Sequence, residues 1–352
     1  MKPPVSVIVV NHNGKDCLES CLEAVLAANP AEVLLVDSGS TDGSADQAAG
    51  DHPLRLLTLG GNRGPAAARN FGLREASHEF VLLVDNDVVM ESGCLDHLVA
   101  HLESDPALAL VQARSFLGSA DGPVHYDGGA THFLGLVSLR NWYAPKEQAV
   151  GGRLDETGVA ISLCCLGRRD ELLAAGGFDE EMFILFEDLA LSYALRLSGR
   201  RIAVATDATC VHKAGTEGLS TRGRSRTYAA RRTFLHSRNR WIFMLTHYRW
   251  LTLLVLTPAF VCYGLVHLAF VGASGHLPSW FRGKAALLKL RSHLMRRRRS
   301  IQALRTCSDG ELLVSQDLTF NPGLAEGGLR GLTRCLLAGG LRGYWKCVGW
   351  LL

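Results

Sequence analysis

The chain has 352 residues, 47% of them hydrophobic and 20% charged, which excludes a disordered polypeptide and leaves room for more than one domain. Its net charge of +3 conceals an asymmetry: residues 218–308 hold no Asp or Glu but 17 Lys or Arg, so the remainder is net negative. A block of that kind suits an anionic surface, either lipid headgroups or nucleic acid.

The first hundred residues alternate in character. Residues 5–10 form a β-branched run, and residues 15–28 place Leu18, Cys21, Leu22 and Val25 on one helical face. Strands are predicted over 32–36, 54–59 and 80–84, with a short helix capped by residues 40–43 and helices over 64–76 and 92–103. Strands this apolar, separated by helices, predict an α/β fold with a mainly parallel sheet covered on both faces. Residues 111–166 are less regular and rich in Gly turns. Short helices follow over 168–175 and 187–198, then a strand over 201–205. A long basic helix is expected over 221–249, an uncharged stretch over 250–281, and a second basic helix ending at Arg299. The ten cysteines form no paired CxxC set, and Cys17 and Cys21 read as an apolar helix face. The N-terminus lacks the apolar core and cleavage site of a signal peptide, so reduced thiols in the cytoplasm are expected.

Chemistry gathers at the ends of the strands. The first ends in Asn11-His12-Asn13 and the second runs into Asp37-Ser38-Gly39-Ser40-Thr41-Asp42. The third leads to Gly61-Asn62-Arg63-Gly64-Pro65 and on to Arg69, and the fourth to Asp85-Asn86-Asp87. Sheets of this kind bind ligands at the carboxyl ends of their strands, so four polar clusters on one edge predict a site. Two acids at i and i+2 there can hold Mg2+ or Mn2+ against a diphosphate, because hard cations take oxygen ligands and keep substrate phosphates and waters.

The segments VSVIVVNHN, VLLVDSGSTDGS, GNRGPAAARNFGL, VLLVDNDVV and GGFDEEMFILFEDLALSYALRLSGRRIA, in this order and spacing, resemble the inverting family 2 glycosyltransferases of the GT-A fold, rhamnosyltransferase-like members in particular. The likeness covers roughly residues 5–213. It implies that Asp37 contacts the base of the donor nucleotide. Asn11, Asn13, Ser38 and Asn62 would line the nucleotide pocket, and Asp42 and Arg69 would hold the uridine or thymidine diphosphate. Asp85 and Asp87 would serve the metal–diphosphate unit, with Asp87 the direct ligand, and His212 would face the metal. Asp188, after Glu187, would be the catalytic base that deprotonates the acceptor hydroxyl. Many relatives carry a second acid two residues after that base, where this chain has Ala190. The implied reaction moves a sugar from dTDP-rhamnose or a UDP-hexose to a cell-envelope or lipid-linked glycan.

Residues 1–217 are thus expected as the catalytic domain, divided near 110 into a nucleotide half and an acceptor half. Residues 218–308 would be membrane-associating helices, and 309–352 a tail of unassigned role. The apolar stretch 250–272 has the length of a membrane span, but Arg-rich segments flank it on both sides and Pro258 interrupts it. A segment lying in the interface at the cytoplasmic face is therefore expected, with a single span as the alternative. Three other readings compete. A dinucleotide oxidoreductase needs GxGxxG after the first strand, where this chain has Asn11-His12-Asn13-Gly14-Lys15. A nucleic-acid binder would not carry an apolar run inside its basic face, so no nucleic-acid partner is expected. A sugar-nucleotide-binding pseudoenzyme would not need Asp87 and Asp188.

Overall fold

The computed structural model describes residues 4–213, 229–319 and 328–352, with no side chains described over 328–336. Contacts divide the chain into two compact units: Met1–Gly129 with Leu139–Ala214, and Ala130–Ser138 with Gly215–Leu352.

In the first unit β1 (Val5–Asn11), β2 (Glu32–Asp37), β3 (Arg55–Thr58) and β4 (Phe80–Asp85) form a parallel set in the order β4-β1-β2-β3. The helices α1 (Leu18–Ala27), α2 (Ser44–Asp51) and α3 (Gly64–Glu75) connect them. α1 buries Leu18, Cys21, Leu22 and Val25, the face its sequence spacing defines. Val7, Ile8, Val9, Leu34, Leu35, Leu82 and Leu83 are fully buried, as strands covered on both faces require. Each such side chain contributes about 1.5–3 kcal/mol over an exposed one.

The sheet continues through β5 (Val88–Met90), α4 (Cys94–Ser104), β6 (Leu108–Leu117) and β7 (Val124–Tyr126). The segments β8 (Gly129–His132), β9 (Leu136–Leu139) and β10 (Leu154–Glu156) come next, then β11 (Cys164–Arg168), α5 (Arg169–Ala174), α6 (Glu187–Leu197) and β12 (Arg201–His212). Here the sheet is mixed. β11 lies antiparallel between β4 and β6, while β6 and β12 are parallel to each other. β12 also runs well past the expected end at 205, across a register shift between Ala205 and Thr209. That bulge re-aims the strand so that its last residues pair with β5, Val211 opposite Val89 and His212 opposite Val88.

The second unit is mainly helical. Of the helix expected over 221–249, residues 221–228 lie outside the described residues, and the rest forms α7 (Ala230–His247). The uncharged stretch divides into α8 (Trp250–Val255) and α9 (Thr257–Ala273), followed by α10 (Leu277–Lys289) and α11 (Arg291–Ala303). The alternative of one span over 250–272 is thus replaced by two helices, with Pro258 in the first turn of α9. Proline is accommodated at that position but cannot continue a preceding helix. No helix among the described residues is long and apolar enough to cross a membrane. α10 and α11 both pack on α7. The remaining elements are α12 (Asp309–Leu312), which opens with a capping box between Ser308 and Glu311, β13 (Leu313–Val314) and α13 (Gly328–Val348). β13 pairs in parallel with β8, Leu313 opposite Thr131.

Candidate active site

Strand register, rather than sequence proximity, assembles the site. Asn11 lies opposite Asp37, Val10 opposite Asp85, and Asp37 opposite Thr58, so the polar ends of β1, β2, β3 and β4 share one edge. There the Asn11 amide donates to Asp37 Oδ1 at 3.1 Å, Ser40 Oγ at 3.1 Å and Ser44 Oγ at 3.0 Å. Asp37 Oδ2 accepts from the backbone N–H groups of Gly39 and Ser40 at 3.0 and 2.9 Å. Asn13 Oδ1 accepts from the Thr41 N–H at 2.8 Å, and Asp42 accepts from the N–H groups of Lys15 and Ser44. Burial pushes the Asp42 carboxyl up, but the hydrogen bonds from Ser44 and Lys15 outweigh it and hold it below the usual range. Asp37 is only 6% exposed, so much of its capacity already braces the loop. Ser38 Oγ accepts from the Arg63 N–H at 3.1 Å, and Asn62 lies 2.8 Å from His12 Nε2.

The Asn86 amide closes this network by donating to Asn11 Oδ1 at 2.8 Å. Gly14 sits under both side chains: a Cβ there would lie 2.3 Å from Asn11 Oδ1 and 2.4 Å from Asn86 Nδ2. Only glycine lets the two asparagines meet.

Arg69 projects from α3 into a group of three acids. It donates to Asp85 Oδ1 at 2.7 Å and to Glu187 Oε1 at 3.5 Å, and lies 3.9 Å from Asp188 Oδ1. Burial opposes its charge, but Asp85, Asp188 and Glu187 outweigh burial and keep it protonated. One guanidinium cannot neutralise three carboxylates. The Glu187 carboxyl is accordingly pushed up by burial and then by Asp188, and Asp188 is pushed up by burial against the opposing pull of Arg69 and Ser162. Glu187 Oε2 is buried with no hydrogen-bond partner. Asp188 accepts from the Ser162 N–H at 3.2 Å.

The segment leading into α6 is strained. Phe183, Leu185 and Phe186 have φ of 65°, 72° and 75°, a left-handed backbone that bulky residues rarely adopt. Phe186 in this conformation caps α6, so its turn aims Glu187 and Asp188. Strain held immediately before two buried acids points to function.

A second pair forms where β5 meets β12. His212 Nε2 lies 3.0 Å from Asp87 Oδ2, and its Nδ1 lies 2.8 Å from His125 Nδ1. The expected metal set of Asp85, Asp87 and His212 is therefore split: Asp87 and His212 meet, while Asp85 is turned to Arg69. Among the described residues no group of three or more His, Cys, Asp or Glu side chains is arranged to hold a metal ion. Sequence reasoning also missed Ser44, Asn86 and His125. The first two lay inside quoted motifs without a role, whereas His125 lies 87 positions from its partner in a stretch with no motif.

A parallel strand edge carrying a braced Asp loop and a DxD turn, extended by an antiparallel strand, defines a nucleotide-diphospho-sugar transferase fold of the GT-A kind. The crystal structure of GalNAc-T7 with UDP, GalNAc and Mn2+ shares it, with a TM-score of 0.55 and 16% identity over 70% of this chain and 48% of that one. Residues 6–173 match the family model for glycosyl transferase family 2. Glu187, Asp188 and His212 lie beyond the matched residues. Poly-beta-1,6-N-acetyl-D-glucosamine synthase of Staphylococcus aureus (strain MSSA476) is 24% identical over 211 residues, 58% of this chain and 49% of that protein. The Staphylococcus epidermidis synthase is 23% identical over 211 residues. The chain thus spans about half the length of the curated relatives it matches.

Proposed function

We propose that the protein transfers a glycosyl group, with inversion, from a nucleoside-diphosphate sugar to a hydroxyl of a cell-envelope or lipid-linked glycan. The observation that carries this reading is the buried Arg69–Asp85–Glu187–Asp188 cluster beside the braced Asn11–Asp37–Asp42 loops. Asp188 is the base: a carboxylate whose pKa is raised towards working pH removes the acceptor proton more effectively than an ordinary one. Arg69 holds Asp85 and the two helix acids together and adds positive charge near the diphosphate. Glu187, the more deeply buried, positions Arg69.

The donor set fits a divalent cation. Asp87 offers an oxygen and His212 an imidazole nitrogen, both nearly buried, beside a cluster with excess negative charge. Two protein ligands suffice for Mg2+ or Mn2+, which complete their shells with diphosphate oxygens and waters. When bound, the ion would stabilise the charge developing on the leaving diphosphate. UDP and Mn2+ in the GalNAc-T7 crystal are consistent with such a pair.

The helical unit is read as attaching the enzyme to the cytoplasmic face of a membrane. The support is the acid-free basic run 218–308 within it, combined with exposed apolar side chains, Leu254, Leu265 and Phe281 among them.

Binding of UDP, dTDP and GDP and their sugars, with and without Mn2+, tests the donor site. One diphosphate bound tightly only with metal supports it, and folded protein that binds none overturns it. Asp188→Asn should retain nucleotide binding while lowering turnover ~100- to 10,000-fold. Unchanged turnover would remove Asp188 from the mechanism, and a wild-type protein that binds donors but transfers to no acceptor would favour the pseudoenzyme.

A further inference from the structure

The helical unit contains a concentration of buried positive charge that the transferase site does not use. Arg240 on α7 is 4% exposed. Its Nε donates to the Leu134 carbonyl at 2.7 Å, but Nη2 is buried with no hydrogen-bond partner. Its guanidinium lies 4.4 Å from the ring centre of Tyr263 and 5.7 Å from that of Phe260. Lys284 on α10 lies 5.1 Å from the Trp241 ring and 5.2 Å from the Trp280 ring, and donates to the Ser237 carbonyl at 2.9 Å. The Trp280 indole N–H is a second buried donor with no acceptor. His236 and His267 stand ring to ring at 4.9 Å in the same group.

No acid of the described residues answers this charge. The described acids of the unit are Asp309, Glu311 and Asp317, and each is engaged elsewhere. Asp309 binds Arg305, Thr252 and the Arg249 N–H, Glu311 caps its own helix, and Asp317 pairs with Arg342. A guanidinium cannot shed its proton, and aromatic faces return only part of the hydration it loses. The groups that can shed theirs respond to one another: burial and then Arg240 lower Lys284 to about 7, and burial, Arg240 and Lys284 lower His267 to about 4. Such a set has no anionic partner among the described residues. The way in is open, since Tyr263, His267, Trp241, Trp280 and Lys284 are all partly exposed.

We propose that Arg240, Lys284 and the Trp280 indole N–H form a phosphate-binding site, with His236 and His267 beside it and Tyr263 and Trp241 as its aromatic walls. The site takes a phosphate or pyrophosphate ester. Arg offers a planar fork and Lys a point charge to such oxygens, and both gain from the dry surroundings. On its other side α9 exposes Val261 and Leu265, at 55% and 63%, which suits a phosphate carried on a lipid. The site does not depend on sugar transfer.

The test uses the full chain and the reactivity of Lys284 itself, whose amine is partly neutral near pH 7 and therefore open to acylation. Its labelling rate, read by peptide mass spectrometry, is followed with inorganic phosphate, with pyrophosphate, and with vesicles of phosphatidylcholine containing or lacking phosphatidic acid. At constant ionic strength, phosphate-bearing probes should slow Lys284 labelling several-fold while leaving Lys146 unaffected. Protection by the soluble anions alone identifies a free phosphate ester as ligand, and protection by phosphatidic acid vesicles alone a lipid-borne one. Arg240→Gln should remove the protection, and Lys284→Gln should weaken probe binding ~10-fold or more, the loss expected for one charged hydrogen bond. Should Arg240→Gln fail to fold, phosphate and pyrophosphate binding to Lys284→Gln, measured by calorimetry against wild type, carries the test instead, and equal binding by the two proteins overturns the site. Equal labelling of Lys284 with and without every probe, in protein that binds donor nucleotide normally, overturns the site and leaves the transferase reading intact.

Discussion

Glu187 and Asp188 illustrate how burial prepares a carboxylate for work and what that costs the fold. Burial and Asp188 raise the Glu187 pKa above its ordinary 4.5, so the folded chain holds a proton that the unfolded chain has released. Where the native state binds more protons, stability falls as pH rises, from about the ordinary carboxyl pKa up to the raised value. Glu187→Gln keeps the shape and the neutral state. Its urea midpoint should therefore fall less than that of wild type between acidic and mildly alkaline pH, and should exceed it at the alkaline end. Parallel pH profiles for the two proteins would show that Glu187 is ionised throughout. The residues of this cluster were legible in sequence as motif letters, but their common ion cluster was not. Arg69 and Glu187 are 118 positions apart, and only the fold reveals that one cation serves three acids. For the same reason His125, which orients His212, had no sequence signal. His125→Phe should raise the Mn2+ concentration needed for donor binding ~10- to 100-fold, the range found when a partner of a metal-ligating histidine is lost. Calorimetric titration of Mn2+ with UDP present would check it, and an unchanged requirement would separate His125 from the metal.

Among elements, the strained turn 183–186 and the start of α3 act on each other. Gly64 has φ of +81°, and a Cβ there would lie 2.7 Å from both the Phe183 ring and its carbonyl oxygen. Gly64→Ala should cost about 2 kcal/mol or more, from left-handed backbone and collision together, and should reduce turnover by displacing the segment that aims Asp188. Donor affinity measured beside turnover distinguishes the two effects: equal loss of both would indicate general destabilisation instead. The parallel half of the sheet was readable because each strand is a short apolar run ended by a polar cluster. The antiparallel insertion of β11 was not, since Cys164–Arg168 carries no mark of direction and its neighbours are distant in sequence. The end of β12 was set too early because alternation lapses at its bulge, and that extension is what carries His212 to Asp87.

At the scale of the whole molecule, the charge asymmetry read from composition separates two compact units of different chemistry. One gathers acids around Arg69 at the edge of its sheet, and the other has an acid-free run of 91 residues, 218–308. Hydropathy alone does not reveal that Pro258 begins a new helix, so the sequence left the apolar stretch 250–272 looking continuous. With the stretch broken, the apolar surface is distributed over several helices. Trp250, Leu251 and Leu254 on α8 are 58%, 54% and 71% exposed, and Leu265 on α9 is 63% exposed. Side chains so open contribute little to the fold, and burying a leucine in an acyl layer returns about 1.5–3 kcal/mol. Leu254→Glu with Leu265→Glu should therefore leave thermal stability within about 0.5 kcal/mol of wild type, yet strongly reduce flotation with vesicles containing phosphatidylglycerol. Wild-type binding should weaken with salt, since the flanking arginines act through screened charge. If the double variant floats as wild type does, the attachment lies elsewhere in the chain. If neither floats at low salt, the exposed face serves a partner other than lipid, and the positive charge around it needs a different anion.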